Sequence, residues 1–176
     1  MIYFPREDSF LLEKEVKKYA KGKSFLDLGA GSGIQARAAK SVKAKSILCV
    51  DINEEALKEL KLQGFSTIKS NLFSNTKEKF DLIAFNPPYL PRDKREDKES
   101  ALTTTGGKKG DEIIIKFLED IKKHLNKNGI VLLVISSLTP KEKILKILEK
   151  NSLSYKIISS QKFFFEILEV WKIKTK

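Results

Sequence analysis

The fold of this chain is decided by the stretch Phe25-Leu26-Asp27-Leu28-Gly29-Ala30-Gly31-Ser32-Gly33. Its first four residues are mostly apolar and predict a short buried strand, and the glycines predict a tight turn that leads into a helix. A strand that runs through such a turn into a helix is the first unit of a parallel sheet covered by helices. The glycine spacing is G-x-G-x-G, which differs from the G-x-G-x-x-G of nicotinamide-binding folds.

Strands and helices are predicted to alternate along the rest of the chain. The predicted strands cover residues 24–28, 46–51, 67–70, 80–85, 130–136, 155–160 and 164–173. The predicted helices lie near residues 10–20, 34–43, 54–63, 111–127 and 140–150. This alternation predicts a single Rossmann-like α/β domain over residues 1–176, with a mostly parallel seven-stranded sheet and helices on both faces. The last two strands have no helix between them and predict an antiparallel hairpin, and the third strand is expected at an edge.

Three residues near helix ends carry local signals. Asn53 is expected to cap the third predicted helix. Thr139 precedes Pro140, with Glu142 three residues after Thr139, which predicts a capped start of the last helix. His124 falls at the lysine-rich end of the fourth predicted helix, which is typical of a surface histidine that faces the helix dipole.

The composition is typical of soluble globular proteins, with 41% apolar and 32% charged residues among 176. The longest apolar run, residues 130–135, is too short to span a bilayer, so no membrane partner is expected. Charged residues at positions 6–8 precede any apolar stretch, so a secretory signal is not expected either. Cys49 is the single cysteine and is expected to be buried in a strand. We therefore expect a cytoplasmic protein without a disulfide or a metal site.

The net charge of +11 is concentrated towards the two ends of the sequence. Residues 1–50 carry ten basic and five acidic side chains, and residues 141–176 carry nine and four, whereas residues 51–91 carry five and six. Thirty of the 34 basic residues are lysines, whereas fixed recognition of phosphate or guanine relies more on arginine. Two interpretations stay open: an anionic partner such as a nucleic acid, or a lysine-rich solvated surface.

A second informative stretch, Asn86-Pro87-Pro88-Tyr89, follows the predicted strand at 80–85. Pro87 and Pro88 have no N–H to donate, so the strand must end there with its last carbonyl groups pointing outward. The Asn86 amide beside those carbonyls provides hydrogen-bond acceptors for a planar NH₂ group. For this stretch taken alone, a proline-rich turn without a further role is the alternative.

Two more strand ends carry candidate ligand-binding residues. Asp51 ends the second predicted strand, where a carboxylate can accept both hydroxyls of a ribose. Asn71 and Leu72 follow the third strand, where the amide can bond the edge of an adenine and the leucine can cover its face. The carboxyl ends of parallel strands share one edge of the sheet. We therefore expect these residues to line one site with Asp27, whose carboxylate suits a cationic group.

These motifs resemble those of class I S-adenosylmethionine-dependent methyltransferases. More narrowly, they resemble the HemK-like protein-glutamine N5-methyltransferases of the short branch found in archaea and eukaryotes. The opening Ile2-Tyr3-Phe4-Pro5-Arg6-Glu7-Asp8-Ser9-Phe10-Leu11-Leu12 matches the Tyr-x-Pro-x-Glu-Asp-Thr/Ser motif of that branch, and residues 106–112 resemble its Gly-Gly-x-x-Gly-x-Glu element. The resemblance covers nearly the whole chain. Two departures are Asn71, where an acidic residue is usual, and residues 103–105, which are threonines near the position of a usual aromatic residue.

The resemblance implies S-adenosylmethionine as the cofactor and assigns roles to residues of this sequence. Residues 1–22 would cap the cofactor, and residues 91–110 would form a substrate loop. The expected catalytic residues are Asn86, Pro87 and Tyr89. The expected substrate-binding residues are Asn86, Pro87, Pro88 and Tyr89. The expected cofactor-binding residues are Ser9, Asp27, Gly29, Gly31, Gly33, Asp51, Asn71, Leu72 and Asn86.

The resemblance also implies two partners. The substrate would be the glutamine of the Gly-Gly-Gln motif in a class I peptide-release factor, and a small zinc-binding activator subunit would complete a heterodimer. We expect the activator to add a strand at the edge formed by the third strand, in contact with Ile52, Phe65 and Ile68; the alternative is a monomer. Residues 92–109 are expected to be mobile without substrate and to order over the bound glutamine loop.

Other functions fit part of the sequence. An RNA or DNA methyltransferase acting on adenine N6 or guanine N2 would use the same acceptors on a flipped base. The net charge favours that alternative, whereas the scarcity of arginine and the N-terminal motif oppose it. The glycine spacing opposes a nicotinamide oxidoreductase, and the intact residues 86–89 oppose a catalytically silent binding subunit. Methylation of a protein glutamine is therefore the favoured function, with nucleic-acid methylation as the alternative.

Overall fold

The structure is a computed structural model that describes residues 5–89 and 105–176. Those residues form seven strands and five α-helices. The strands are β1 (Ser24–Leu28), β2 (Ser46–Asp51), β3 (Ser66–Lys69), β4 (Phe80–Phe85), β5 (Leu125–Ser136), β6 (Leu153–Lys162) and β7 (Ile167–Thr175). The helices are α1 (Glu7–Tyr19), α2 (Ile34–Ser41), α3 (Glu54–Leu62), α4 (Glu112–Asp120) and α5 (Glu142–Lys150), and a 3₁₀ turn covers Ile121–His124.

The strands form one sheet in the order β3-β2-β1-β4-β5-β7-β6. Strands β1 to β5 pair in parallel, whereas β7 pairs antiparallel with both β5 and β6. The predicted fold class is confirmed, with the hairpin at the end of the chain and β3 at one edge. The chain moves outward from β1 to β3 and then returns to β4 on the other side of β1. Open α/β sheets bind ligands at the carboxyl ends of the strands beside such a reversal.

Strand β4 shows how helices cover both faces of the sheet. Side chains alternate between the two faces along a strand. Leu82 and Ala84 pack in the layer that holds α1 and α2, whereas Ile83 and Phe85 pack with α4 and α5. All four side chains are buried, and burial of a large one stabilises the fold by about 1.5–3 kcal/mol. The carboxyl end of β4 is therefore fixed from both sides.

The prediction of a helix over residues 111–127 is wrong at the C-terminal end of that range. Helix α4 stops at Asp120, and β5 begins directly after the 3₁₀ turn. The turn brings His124 against Phe73, with the ring centroids 4.1 Å apart, and its Nδ1 lies 3.1 Å from the carbonyl oxygen of Glu78. Because His124 is only 8% exposed, its prediction as a surface histidine is wrong, and the residue belongs to the packing under the sheet.

One predicted helix cap is confirmed and the other is wrong. The Asn53 side chain accepts a hydrogen bond from the N–H of Glu55 at 2.9 Å and caps α3. Thr139 does not cap α5, which begins only at Glu142. The Thr139 hydroxyl instead donates to the carbonyl oxygen of Tyr89 at 3.4 Å, so this residue supports the stretch that follows β4.

Cys49 is buried, as predicted, and burial raises the pKa of its thiol. Across residues 5–89 and 105–176, no helix has the length and apolar character needed to cross a membrane. Within the same ranges, no three His, Cys, Asp or Glu side chains stand together as a metal site.

Candidate active site

A cavity of about 500 Å³ lies at the carboxyl ends of β1, β2, β3 and β4, where the start of α1 and the β6–β7 turn also reach it. Every predicted site residue except Gly33 lines this cavity. These residues are Ser9, Asp27, Gly29, Gly31, Asp51, Asn71, Leu72, Asn86, Pro87, Pro88 and Tyr89. The topology therefore brings together residues that are far apart in the sequence.

Gly33 is the one predicted site residue that does not line the cavity, and its contact with the cofactor stays a prediction. This residue stands at the start of α2 with φ of +78°, and a Cβ atom there would collide with the side chain of Leu60. Glycine is required at this position by the backbone conformation and the packing of α2 against α3, because other residues are strained there. Gly33 shapes the turn and is not part of the cavity wall.

Two predictions concern segments that the structure describes only in part. Residues 91–104 of the expected substrate loop lie outside the described residues, as does most of the segment 92–109 that we expect to be mobile. Residues 1–4 of the expected cofactor-capping segment are also outside them. The first turn of α1 is described, and its residues 7–9 line the cavity.

Asp8 fixes the orientation of the Asn86 side chain. The Nδ2 group of Asn86 donates to Asp8 Oδ2 at 3.0 Å, and the Tyr89 hydroxyl donates to the same oxygen at 3.4 Å. The backbone N–H and the hydroxyl of Ser9 both donate to Asp8 Oδ1, at 2.6 and 3.2 Å. A carboxylate can only accept hydrogen bonds, so the NH₂ group of Asn86 must face Asp8. The Asn86 oxygen consequently faces the other way.

The Oδ1 atom of Asn86 is buried and, within the described parts of the chain, has no hydrogen-bond partner. A buried acceptor without a partner costs about 1–3 kcal/mol, and folded proteins contain few of them. Asn86 stands directly after β4, next to the Pro87 carbonyl group, in the wall of the cavity. This end of the cavity is therefore suited to accept hydrogen bonds from an incoming NH₂ group.

Asp27 provides a buried carboxylate within strand β1, just before the glycine turn. Its Oδ2 accepts a hydrogen bond from the backbone N–H of Ala36 at 2.9 Å. Burial raises the pKa of Asp27 well above its usual range; the bond from Ala36 acts to lower this pKa, and the nearby Asp51 carboxylate acts to raise it. A cation in the cavity would favour the ionised form of Asp27. The residue is therefore suited to the ammonium group of an amino-acid ligand.

Asp51 joins the glycine turn to the end of β2. Its Oδ2 accepts from the N–H of Gly31, and its Oδ1 accepts from the N–H of Asn53, both at 2.8 Å. Asp51 thus supports the local backbone. A carboxylate oxygen can accept more than one hydrogen bond, so these contacts leave capacity for ribose hydroxyls.

Gln35 and Asp8 are two residues of the cavity wall to which sequence reasoning assigned no role. Gln35 donates from Nε2 to the Ser9 carbonyl oxygen at 2.9 Å, while its Oε1 is buried and has no partner among the residues described. Gln35 is one of several polar residues in α2, and no sequence signal marks it. Asp8 precedes Ser9 in the N-terminal motif, and that position was the signal by which it could have been found.

The glycine-rich segment around Gly106 packs behind the stretch that follows β4. A Cβ atom on Gly106 would lie 2.5 Å from the carbonyl oxygen of Gly110 and 2.6 Å from that of Pro88. The Glu112 carboxylate closes the segment by accepting the N–H groups of Lys109 and Gly110, both at 3.1 Å. Burial acts to raise the pKa of Glu112, but the backbone N–H donors bring this pKa below its usual value. The segment therefore supports the main chain at Pro88.

The sequence matches the family "Methyltransferase small domain" over residues 7–167. The chain belongs to this family. A Methanocaldococcus jannaschii protein with the provisional name protein N5-glutamine methyltransferase is 36% identical over 98% of this chain and 92% of its own length. Human methyltransferase HEMK2 is 29% identical over 97% of this chain and 88% of its own length. The E. cuniculi Mtq2–Trm112 complex, described as responsible for methylation of the translation termination factor eRF1, has the same fold, with a TM-score of 0.79 and 24% identity over 99% of each chain.

As a member of the methyltransferase small domain family, the protein is a class I methyltransferase with S-adenosylmethionine as its cofactor. The resemblance to HemK-like enzymes is confirmed. The cavity fits this cofactor: Asp27 and Asp51 offer carboxylates for the ammonium group and the ribose, and Gly29, with φ of +66°, leaves the backbone open to a ligand. Which residues contact the cofactor stays a prediction.

Replacing Asp8 by asparagine is expected to lower the rate of methyl transfer about tenfold, the equivalent of one hydrogen bond to a charged group. An amide at this position can donate towards Asn86 as well as accept from it, so the Asn86 oxygen would no longer be held in one direction. The rate and the cofactor affinity of D8N should be measured beside E13Q, a control on the same helix that only loses an ion pair with Lys17. An unchanged rate in D8N would contradict the orienting role.

Proposed function

We propose that this methyltransferase modifies the side-chain amide nitrogen of a glutamine, and that this glutamine lies in the Gly-Gly-Gln motif of a class I peptide-release factor. The observation that carries the proposal is the buried side-chain oxygen of Asn86, which has no partner among the described residues. This oxygen points away from Asp8, because the NH₂ group of Asn86 donates to the Asp8 carboxylate. The names of the similar proteins support a glutamine and a termination factor as the substrate.

The residues after β4 perform the chemistry in this proposal. An amide nitrogen is a weak nucleophile because its lone pair is delocalised into the carbonyl group. The Asn86 oxygen and the Pro87 carbonyl each accept one hydrogen of the target NH₂ group, which favours a pyramidal transition state over the planar ground state. Tyr89, whose hydroxyl is held by Asp8, packs over the target side chain. The bound cofactor supplies an electrophilic methyl group, and the fixed placement of the nitrogen provides much of the remaining acceleration.

The other residues of the cavity wall hold the cofactor in this proposal. Asp27 pairs with the ammonium group, and Asp51 accepts the ribose hydroxyls. Ser9, Gly29 and Gly31 bring the first turn of α1 and the glycine turn close to the ligand, and Asn71 and Leu72 contact the adenine. Each of these residues stands at the end of an element whose position is fixed by the buried sheet.

Replacing Asp51 by alanine is expected to weaken S-adenosylmethionine binding by about 1–3 kcal/mol, because the ribose hydroxyls lose a charged acceptor. The substitution also removes the acceptor of the Gly31 and Asn53 N–H groups. Calorimetric titration should therefore be combined with thermal unfolding, with D51N, which keeps one acceptor oxygen, as the matched variant. Unchanged affinity in D51A would mean that Asp51 serves only the local backbone.

The proposed substrate is tested by offering labelled S-adenosylmethionine with a release factor, total RNA and DNA in parallel reactions. We expect label in the release factor and none in a release factor whose motif glutamine is replaced by alanine. Label in RNA or DNA without label in the release factor would overturn the proposed substrate and favour the exocyclic-amine alternative. A cytoplasmic location follows from a substrate that acts on the ribosome, and it stays a prediction.

We also propose that a small zinc-binding activator subunit docks at β3. This strand is at the edge of the sheet, and edge strands can pair with a strand of another chain. Ile52 beside it is 48% exposed, and Ile68 is half-buried. Phe65, which we expected in the contact, is only 7% exposed, so this part of the expectation is wrong: its ring packs in the layer between α3 and the sheet.

Co-expression with the candidate zinc protein is expected to give a one-to-one complex with higher activity than the isolated chain. I52K should weaken the complex because it places a charge on the proposed apolar contact, whereas L145K, on the exposed side of α5, should not. An isolated chain that is fully active and never co-purifies with the zinc protein would overturn this partner.

A further inference from the structure

The turn between β6 and β7 carries an exposed aromatic pair, Phe164 and Phe165. Their side chains are 92% and 83% exposed, more than any other aromatic residue of the described chain. The two rings contact each other edge to face, with centroids 4.6 Å apart and planes at 81°. Large apolar surfaces left in water commonly mark sites of interaction with another molecule.

This turn is anchored to the body of the protein. The N–H of Phe163 donates to the carbonyl oxygen of Glu166 at 2.7 Å and closes the turn. The Glu166 carboxylate accepts the Ser136 hydroxyl at 2.7 Å, and the N–H of Ile167 donates to the Ser137 hydroxyl oxygen at 2.9 Å. The exposed pair is therefore held at a fixed place relative to the end of β5.

That place is the rim of the active-site cavity. Phe163 and Glu166, the residues on either side of the pair, line the same cavity as Asn86. A substrate that inserts one side chain as far as Asn86 must bring the rest of its surface against the rim. The aromatic pair is covered only if that substrate extends beyond the inserted residue.

We propose that Phe164 and Phe165 form a docking surface for the folded protein substrate, in contact with apolar side chains that flank its target glutamine loop. The inference rests on the proposed function and adds how the substrate is recognised. A protein fits better than a nucleic acid for two reasons. The perpendicular rings do not offer one flat platform for a stacked base, and the Glu166 carboxylate beside them opposes a phosphate backbone.

The test is the double variant F164S/F165S, compared with L145S, which removes an exposed leucine of α5 away from the cavity. Each protein is assayed with an intact release factor and with a short peptide that contains the target glutamine. We expect kcat/KM of the double variant to fall about tenfold or more for the intact factor, mainly through KM, as for aromatic contacts at the centre of an interface. The peptide reaction, the cofactor affinity and the L145S control should be unchanged.

The possible failures are distinguishable. If the wild-type enzyme methylates the release factor and the double variant does so with the same kcat/KM, the docking surface is overturned while the proposed function stands. An equal loss for the peptide and the intact factor would also overturn it, because the pair would then act on the site itself. If the wild-type enzyme methylates only RNA, and the double variant loses that activity, both the proposed substrate and the protein-docking role are overturned in favour of base contacts.

Discussion

Replacing Asn86 by alanine is expected to lower the rate of methyl transfer by about 10²–10³-fold, the usual effect of removing one hydrogen-bonding group from a transition-state site. The substitution removes the buried oxygen that is oriented by Asp8 and has no partner within the described residues. The target nitrogen would then have only the Pro87 carbonyl to hold it. Single-turnover rates with saturating cofactor measure this loss directly, because they report the chemical step.

The cofactor affinity of N86A should change much less than the rate, since the main role assigned to Asn86 is to hold the acceptor nitrogen. N75A is a suitable control, because the exposed side chain of Asn75 bonds only the Lys69 carbonyl oxygen among the contacts described, and Asn75 lies outside the cavity wall. A rate near that of the wild type in N86A would contradict the assignment of the acceptor site. A fall in cofactor affinity as large as the fall in rate would place Asn86 with the cofactor-binding residues instead.

The central strands β1 and β4 could be predicted closely because they are buried on both faces. The run at residues 80–85 is apolar except for Asp81, and the structure gives β4 the same limits. The glycine turn and the two prolines then mark where β1 and β4 must end. Once these strands are parallel neighbours, their ends share one edge of the sheet, and the proximity of Asp27 and Asn86 follows from the topology.

The contacts that orient side chains inside the site could not be predicted in this way. Asp8 meets Asn86 across 78 positions of sequence, and this depends on how α1 packs over the sheet. Gln35 reaches Ser9 for the same reason. Local signals also failed where packing dominated: Thr139 has the sequence of a helix cap but bonds the carbonyl of Tyr89.

Replacing Gly106 by alanine is expected to lower the rate of methyl transfer by about 10- to 100-fold, because misplacing a reacting group by about 1 Å can cost that much. The added Cβ would lie 2.6 Å from the carbonyl oxygen of Pro88 and 2.5 Å from that of Gly110. Both are backbone atoms, which cannot move aside as a flexible side chain can. The added methyl group would therefore displace the main chain at Pro88 and, with it, the acceptor groups of Asn86 and Pro87. Overpacking of this kind would also lower the stability by about 1–3 kcal/mol.

G22A separates the activity effect from the loss of stability. Gly22 lies between α1 and β1 with φ of +69°, and no atom lies within 4 Å of the added Cβ. Alanine there costs about 1–2 kcal/mol of backbone strain without a contact near the cavity, so G22A should unfold at a lower temperature and keep its full rate. G106A should also unfold at a lower temperature than the wild type. Unlike G22A, it should be slower than the wild type even when the rate is measured well below its unfolding temperature. If G106A were as active as G22A, the glycine-rich segment would support the fold and have no part in positioning the residues that receive the target amide.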